Sequence, residues 1–218
     1  SRGLGDVYKR QLLGWSPRGE LAEQEFFTLE ELVQAFDITG ISKSPAIFDL
    51  EKLNYFNSAY LKALSPEAFL AVAEPYLKQG ITNPSIDLRL VAPLVQTRLN
   101  TLTEIPPMVD FFDRLPEYSN TLYLHKKMKT NGENSLQVLK DVLPILEAQE
   151  DFTNDALYAS LAQYVSDNGF KTGFVMWPIR TAVSGKQMTP AGATEIMEVL
   201  GKEESLARIR RGIELLSQ

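Results

Sequence analysis

Cap and stop residues punctuate this chain at helical distances, and no segment carries the sustained alternation that a half-buried strand needs. Thr28-Leu-Glu-Glu31 reads as a capping box, in which a hydroxyl and a carboxylate satisfy each other's orphan N–H groups ahead of Leu32, Val33 and Phe36. Asp49 can cap a helix bearing Leu50, Leu53, Tyr60, Leu61 and Leu64. Ser65-Pro66-Glu67 opens another through Phe69, Val72, Ala73, Tyr76 and Leu77 to a stop at Gly80, with a kink expected at Pro75. Periodicity predicts further helices over about 84–101, 105–114, 135–149, 153–167, 172–184, 190–200 and 203–217. Ser135, Thr153 and Thr189 mark starts, and Gly169, Gly185 and Gly201 mark stops. Only Ala46-Ile-Phe, after Pro45, reads as extended. The fold class is therefore all-α.

Composition narrows the function classes. The 218 residues hold 44% hydrophobic residues, enough for a sizeable core, and no cysteine, so thiolate metal sites, disulfides and cysteine nucleophiles are excluded. No apolar run approaches the roughly 18 residues of a membrane span, and no signal peptide is visible, so a cytoplasmic protein without a membrane partner is expected. A net charge of −6 argues against indiscriminate binding of nucleic acid through a globally basic surface. Cations do gather locally, at His125-Lys-Lys-Met-Lys129 and at Arg208, Arg210 and Arg211, while acids concentrate between Glu20 and Glu31. Residues 1–11 (SRGLGDVYKRQ) lack any apolar period and read as a non-native or scar segment. Weak boundaries fall near Ala63-Leu-Ser-Pro66 and in the polar stretch Pro116 to Asn134.

Catalytic chemistry is hard to find. No spacing resembles a metal cage, a nucleophile elbow or a phosphate-binding Gly-rich loop. Helix-dipole complementarity accounts for Glu30-Glu31 and Glu203-Glu204. His125 has no oriented partner in sequence, which favours a surface or RNA-facing role over acid–base work. Trp15 and Trp177 read as core anchors in preference to base-stacking platforms. Arg98, at the polar end of a helix with Leu90, Val91, Leu94 and Val95 on its core stripe, can fork two donors onto a base edge or phosphate. The strongest candidate site is Trp177 to Gly192, a helix ending at Gly185, a basic turn, then a helix opening with Thr189 as N-cap and Pro190 at its first position. Arg180, unpaired helix N–H groups and small Ala191 and Gly192 would converge there, suiting a phosphate or the edge of an unstacked base.

Taken together these segments resemble the C-terminal half of the bacterial glutamyl-tRNA synthetases. The resemblance runs in order through Leu12-Leu-Gly-Trp-Ser-Pro17, Phe27-Thr-Leu-Glu-Glu-Leu32, Ile41-Ser-Lys-Ser-Pro-Ala-Ile-Phe-Asp-Leu-Glu-Lys-Leu-Asn54, Thr101-Leu-Thr-Glu-Ile-Pro106, His125-Lys-Lys-Met-Lys-Thr-Asn131, Trp177-Pro-Ile-Arg-Thr-Ala-Val-Ser-Gly185, Thr189-Pro-Ala-Gly192 and Leu200-Gly-Lys-Glu203. It implies a helical stem-contact region over 12–62, followed by a two-part helical-bundle anticodon-binding domain, its subdomains at 63–130 and 131–218. It also implies that the partners are tRNA(Glu), not DNA, and a missing N-terminal catalytic domain. ATP and Mg would serve the full-length ligase, and this part would hold no cofactor and be inactive alone. The family's anticodon contacts fall on Arg98, which would read the first anticodon base, and on Arg180, Thr189, Pro190, Gly192 and Ala193. Lys43 is a weak candidate for contact with the tRNA stem. Gly40-Ile-Ser-Lys-Ser44 imitates the KMSKS nucleotide loop of class I synthetases, but the first lysine is replaced by Gly40 and no HIGH element precedes it. The alternative is a non-catalytic helical protein-interaction module on the same scaffold, whose mark would be a large exposed apolar patch.

Overall fold

A computed structural model of the chain describes residues 14–17, 19–21, 24, 26–42 and 49–218. Among them the regular structure is helical: α1 (Leu29–Ala35), α2 (Leu50–Ala63), α3 (Pro66–Gly80), α4 (Leu88–Gln96), α5 (Ile105–Asp113), α6 (Gly132–Ala148), α7 (Asn154–Asp167), α8 (Thr172–Ser184) and α9 (Ala193–Leu216). Extended pairing among the described residues is confined to two isolated antiparallel bridges, Trp15 with Ile41 and His125 with Thr130. The extended Ala46-Ile-Phe reading, the scar segment 1–11 and Lys43 lie outside the described residues.

The expected caps at Thr28, Asp49 and Ser65 form. Thr28 and Glu31 bond reciprocally, Asp49 accepts the Lys52 N–H and Ser65 accepts the Ala68 N–H. Three predicted starts are corrected. Helix α4 begins at Leu88, four residues late, because the Asp87 carboxylate accepts the Arg89 N–H. It also ends at Gln96, where Arg98 N–H tightens back onto the Val95 carbonyl. Helix α6 begins at Gly132, capped by reciprocal bonds between Asn131 and Asn134, which leaves Ser135 buried in its interior. Helix α9 begins at Ala193, not at Pro190, for reasons that belong to the site. Gly201, at φ 76°, divides α9 into the two helical segments expected from sequence, and Pro75 sits within a continuous α3.

Two groups of helices share one buried cluster that runs from Leu61 to Ile209. In the first, α3 packs on α4 and α5, and in the second, α9 packs on α6, α7 and α8. A small separate cluster of Trp15, Phe27 and Leu32 holds the N-terminal segment, with Trp15 Nε1 donating to the Asp37 carbonyl at 2.9 Å. Trp15 is thus the core anchor expected.

Arg208 joins the two groups and is only 3% exposed. Its Nη1 donates to the carbonyls of Phe111 and Val183, each at 2.7 Å, and its Nε to Glu204 at 2.6 Å. Both carbonyls lie in the last turn of their helices, α5 and α8, where intrahelical donors have run out and the helix dipole is negative. A cation placed there meets two orphan acceptors at once, which offsets the cost of its burial. The sequence grouped Arg208 with a basic surface cluster. It is a buried double cap, and Arg210 is taken up by Glu147 at 2.7 Å.

Close packing of α9 against its neighbours depends on Gly212. A Cβ there would come within 2.6 Å of Tyr123 Oη and 3.1 Å of Ala182 Cβ. Tyr123 is fully buried, bonds Tyr118 Oη at 3.0 Å and has its hydroxyl pKa pushed up by burial, so it cannot easily give way. Alanine would gain about 1 kcal/mol of helix propensity. Overpacking costs about 1–3 kcal/mol and should win. Gly212→Ala is therefore expected to lower the urea midpoint despite its better propensity; a raised midpoint would refute the packing argument.

Candidate nucleic-acid interface

Helix α8 carries the candidate site on its exposed flank. Trp177 is half-buried, its Nε1 donating to the Leu122 carbonyl at 3.0 Å, so the indole is fixed at one edge. The Arg180 guanidinium lies over that indole with its carbon 4.4 Å from the ring centroid, a geometry in which the ring quadrupole attracts the cation. Nη1 of Arg180 donates to Thr189 Oγ1 and Nη2 to the Gln187 carbonyl, both at 2.8 Å. Burial draws the Arg180 pKa below the ordinary arginine value, but a guanidinium still keeps its charge at neutral pH. Two of its five N–H donors are thus used in holding it, and the other three, Nε–H among them, find no acceptor among the described residues.

The turn after α8 forms as the sequence suggests, with Gly185 in the left-handed region at φ 62°. The predicted helix start after it does not. Thr189 Oγ1 accepts from Arg180 and donates to the Ala191 carbonyl at 2.7 Å, so its hydroxyl is engaged with the turn and caps no helix. The Glu195 carboxylate instead accepts the Gly192 N–H at 2.7 Å, and Gly192 becomes the N-cap of α9. Pro190 is buried ahead of the helix. Nor is the Gly192 N–H free for a ligand.

These pieces line a groove of about 490 Å³ whose walls are His125, Met128, Gly173, Met176, Trp177, Arg180, Gln187, Met188, Thr189, Gly192 and Ala193. Arg180, Thr189, Gly192 and Ala193 are therefore brought together. Pro190 and Arg98 are not among the lining residues. Arg98 stands exposed just past α4, between buried Val95 and Leu99, with no acceptor for its guanidinium among the described residues. Sequence reasoning did not name Met128, Gly173 or Met176 as groove members, and it gave His125 only a surface or RNA-facing role. His125 packs its ring 4.0 Å from that of Trp177, and Met188, 87% exposed, stands at the rim. Trp177, read as a core anchor in preference to a base-stacking platform, is half-buried and part of the wall. Met188, set between polar Gln187 and Thr189 in a turn with no apolar period to bury it, is the one signal in the sequence that could have flagged this rim. The Lys186 ammonium of the basic turn is paired with Asp110, at 2.8 Å.

An aromatic face, a fixed guanidinium and a hydroxyl in one open groove suit a planar base with polar edges. The sequence pattern described as the anticodon binding domain matches residues 68–213, which contain the whole groove and Arg98. The chain belongs to the anticodon-binding domain family.

Relatives support the same placement. The chain is 50% identical over 206 residues to the glutamate–tRNA ligase of Lachnoclostridium phytofermentans, covering 94% of this chain and 41% of that protein. It is 49% identical over 205 residues to the glutamate–tRNA ligase of Clostridium tetani, again covering 94% and 41%. It thus spans about two fifths of the length of these relatives. Among solved structures, the glutamate tRNA ligase of Elizabethkingia meningosepticum in complex with its amino acid superposes with a TM-score of 0.82 at 25% identity, over 97% of this chain and 41% of that one. The glutamate-tRNA synthetase of Elizabethkingia anophelis shares the fold, with a TM-score of 0.78 at 24% identity. In this anticodon-binding domain the groove lies on α8 and the exposed Arg98 just past α4. Gly40, where a nucleotide loop would need lysine, has a packing role instead: a Cβ there would lie 2.5 Å from the Ser16 carbonyl and 2.7 Å from Trp15 Nε1.

Proposed function

We propose that this chain is the tRNA-recognition part of a glutamate–tRNA ligase, reading anticodon bases of tRNA(Glu) with the α8 groove and Arg98. The observation that carries the proposal is the Arg180 guanidinium held over Trp177 by Thr189 and Gln187 inside an anticodon-binding domain. Anticodon bases can be splayed out of the loop, so a groove of this size can take one and test its edge by hydrogen bonding. In this reading Thr189 positions Arg180, Gly192 and Ala193 leave room for the base, and buried Pro190 shapes the turn. Formation of glutamyl adenylate from ATP, with Mg, and transfer of glutamate to the tRNA belong to the part of the ligases that this chain does not match. Lys43 and the stem-contact role of residues 12–62 are proposed on the family resemblance.

Among the described residues, nine of the fourteen large apolar side chains that stand exposed fall between Leu21 and Tyr55, among them Val33, Phe36, Ile38 and Leu50. That concentration supports a second partner for the N-terminal segment, the remainder of a longer ligase. The rival protein-interaction module would use the same surface, so RNA binding must decide between them.

The deciding experiment titrates the chain against a tRNA(Glu) transcript and one with an altered anticodon across a salt series. Tighter binding of the native anticodon is expected. Equal affinity at every salt concentration would sink the assignment. In the same assay Arg98→Gln is expected to narrow the preference at the first anticodon base by about 1–3 kcal/mol. An unchanged ratio between C- and U-starting anticodons would remove Arg98 from the reading.

A further inference from the structure

Beside the groove stands the turn His125 to Thr130, whose three lysines the anticodon reading does not use. His125 and Thr130 exchange both backbone hydrogen bonds, 3.1 Å and 3.2 Å, and Lys129 N–H returns to the Lys126 carbonyl at 3.3 Å. The turn is pinned on several sides. Thr130 Oγ1 donates to the buried Tyr123 carbonyl, Asn134 Nδ2 to the Lys129 carbonyl, and Met128 N–H to His125 Nδ1. Lys126, Lys127 and Lys129 are all exposed, and no carboxylate pairs with any of them among the described residues. In a chain of net charge −6, three unpaired cations in four residues form a local exception.

Backbone geometry adds an independent sign. Lys129 is the described non-glycine residue with positive φ, at 60°. That conformation favours glycine or asparagine and is uncommon for a lysine. Keeping a lysine there stores strain that glycine would relieve, and such strain gathers where a side chain is needed. The turn is also continuous with the groove, because His125 and Met128 line it alongside Trp177 and Arg180. The turn therefore stands where the backbone of a strand with a base in the groove can run beside the three lysines.

We propose that Lys126, Lys127 and Lys129 form a phosphate-holding finger that grips the sugar–phosphate backbone of a single-stranded RNA segment whose base occupies the α8 groove. The proposal rests on the anticodon-loop reading above and adds the residues that set the strand's register without reading its sequence. Flexible lysines on a rigid turn suit this task, since an ammonium can hold a phosphate as a point charge without the fixed geometry a fork requires.

The test measures binding of a labelled tRNA(Glu) anticodon stem-loop to the 218-residue chain over a range of salt, for the parent and for Lys126→Gln, Lys127→Gln and Lys129→Gly, singly and together. Lys129→Gly removes the charge while relaxing the backbone, so loss of binding cannot be blamed on the turn. Each single change should flatten the slope of log affinity against log salt by about 0.7, and the triple change by about 2, with the ratio between native and altered anticodons unchanged. Replacing Lys126 and Lys127 by arginine should keep the parental slope. A triple variant with the parental slope overturns the finger. A flattened slope in a chain that shows no anticodon preference would uphold the finger and overturn the anticodon reading. Lysine-dependent binding of polyglutamate without RNA binding would transfer the finger to acidic peptides and overturn the proposal.

Discussion

Arg208→Ala is expected to destabilise the fold by about 3–5 kcal/mol, the largest effect of any single truncation considered for this chain. The side chain is 3% exposed. Its Nη1 satisfies the Phe111 and Val183 carbonyls, which end α5 and α8 and have no other donor to turn to. Each buried carbonyl left without a partner costs about 1–3 kcal/mol, and the space vacated by the guanidinium adds a cavity term. Loss of the Glu204 pair contributes little, since that carboxylate is half exposed and returns to water. Arg208→Met should restore part of the packing and none of the hydrogen bonds, and so fall between. Arg210→Ala breaks only an exposed pair with Glu147 and should stay within about 0.5 kcal/mol of the parent. Urea unfolding followed by tryptophan fluorescence gives the three midpoints. Equal midpoints for the Arg208 and Arg210 variants would show that Arg208 does not join the helix groups.

Arg180→Gln should leave stability nearly unchanged while removing base discrimination. The carbonyl it serves on Gln187 is exposed and can take water, and Thr189 keeps its bond to Ala191. What disappears is the fixed fork over Trp177. A bidentate contact to a base edge is worth about 1–3 kcal/mol of discrimination, so the preference for the native anticodon should fall by roughly 5- to 150-fold. Arg180→Lys is expected to behave like glutamine in this respect, because an ammonium restores the charge and not the planar geometry. Thr189→Val, which deletes the hydroxyl that receives Nη1, should lose part of the preference, and Thr189→Ser should keep it. The measurement is the ratio of affinities for native and altered anticodon stem-loops at one salt concentration. Parental discrimination in Arg180→Gln would take the groove out of base reading.

Much of this was legible from local chemistry. Caps that depend on residues three apart, such as Thr28 with Glu31, can be read directly because both partners lie within one turn. Gly185 and Gly201 end helical segments because few other residues tolerate positive φ. Where two local solutions competed, the sequence was less decisive. Ser135 and Asn131 are both good caps, and the longer helix won because Asn131 also finds Asn134. At Thr189 the local preference for capping lost to a distant partner, the Arg180 fork nine residues earlier.

Sequence alone thus determined the helical class, most of the helix ends and the identity of the arginine that defines the groove, since each rests on neighbours within a turn or two. The tertiary structure decided the rest. It buried Arg208 between two helix ends while leaving Arg98 in water. It turned Trp177 from a core residue into a wall, and it brought His125 to that wall from 52 residues away. Charge and ring type are properties of a residue, but whether they face water, a carbonyl or a groove depends on which helices pack against it.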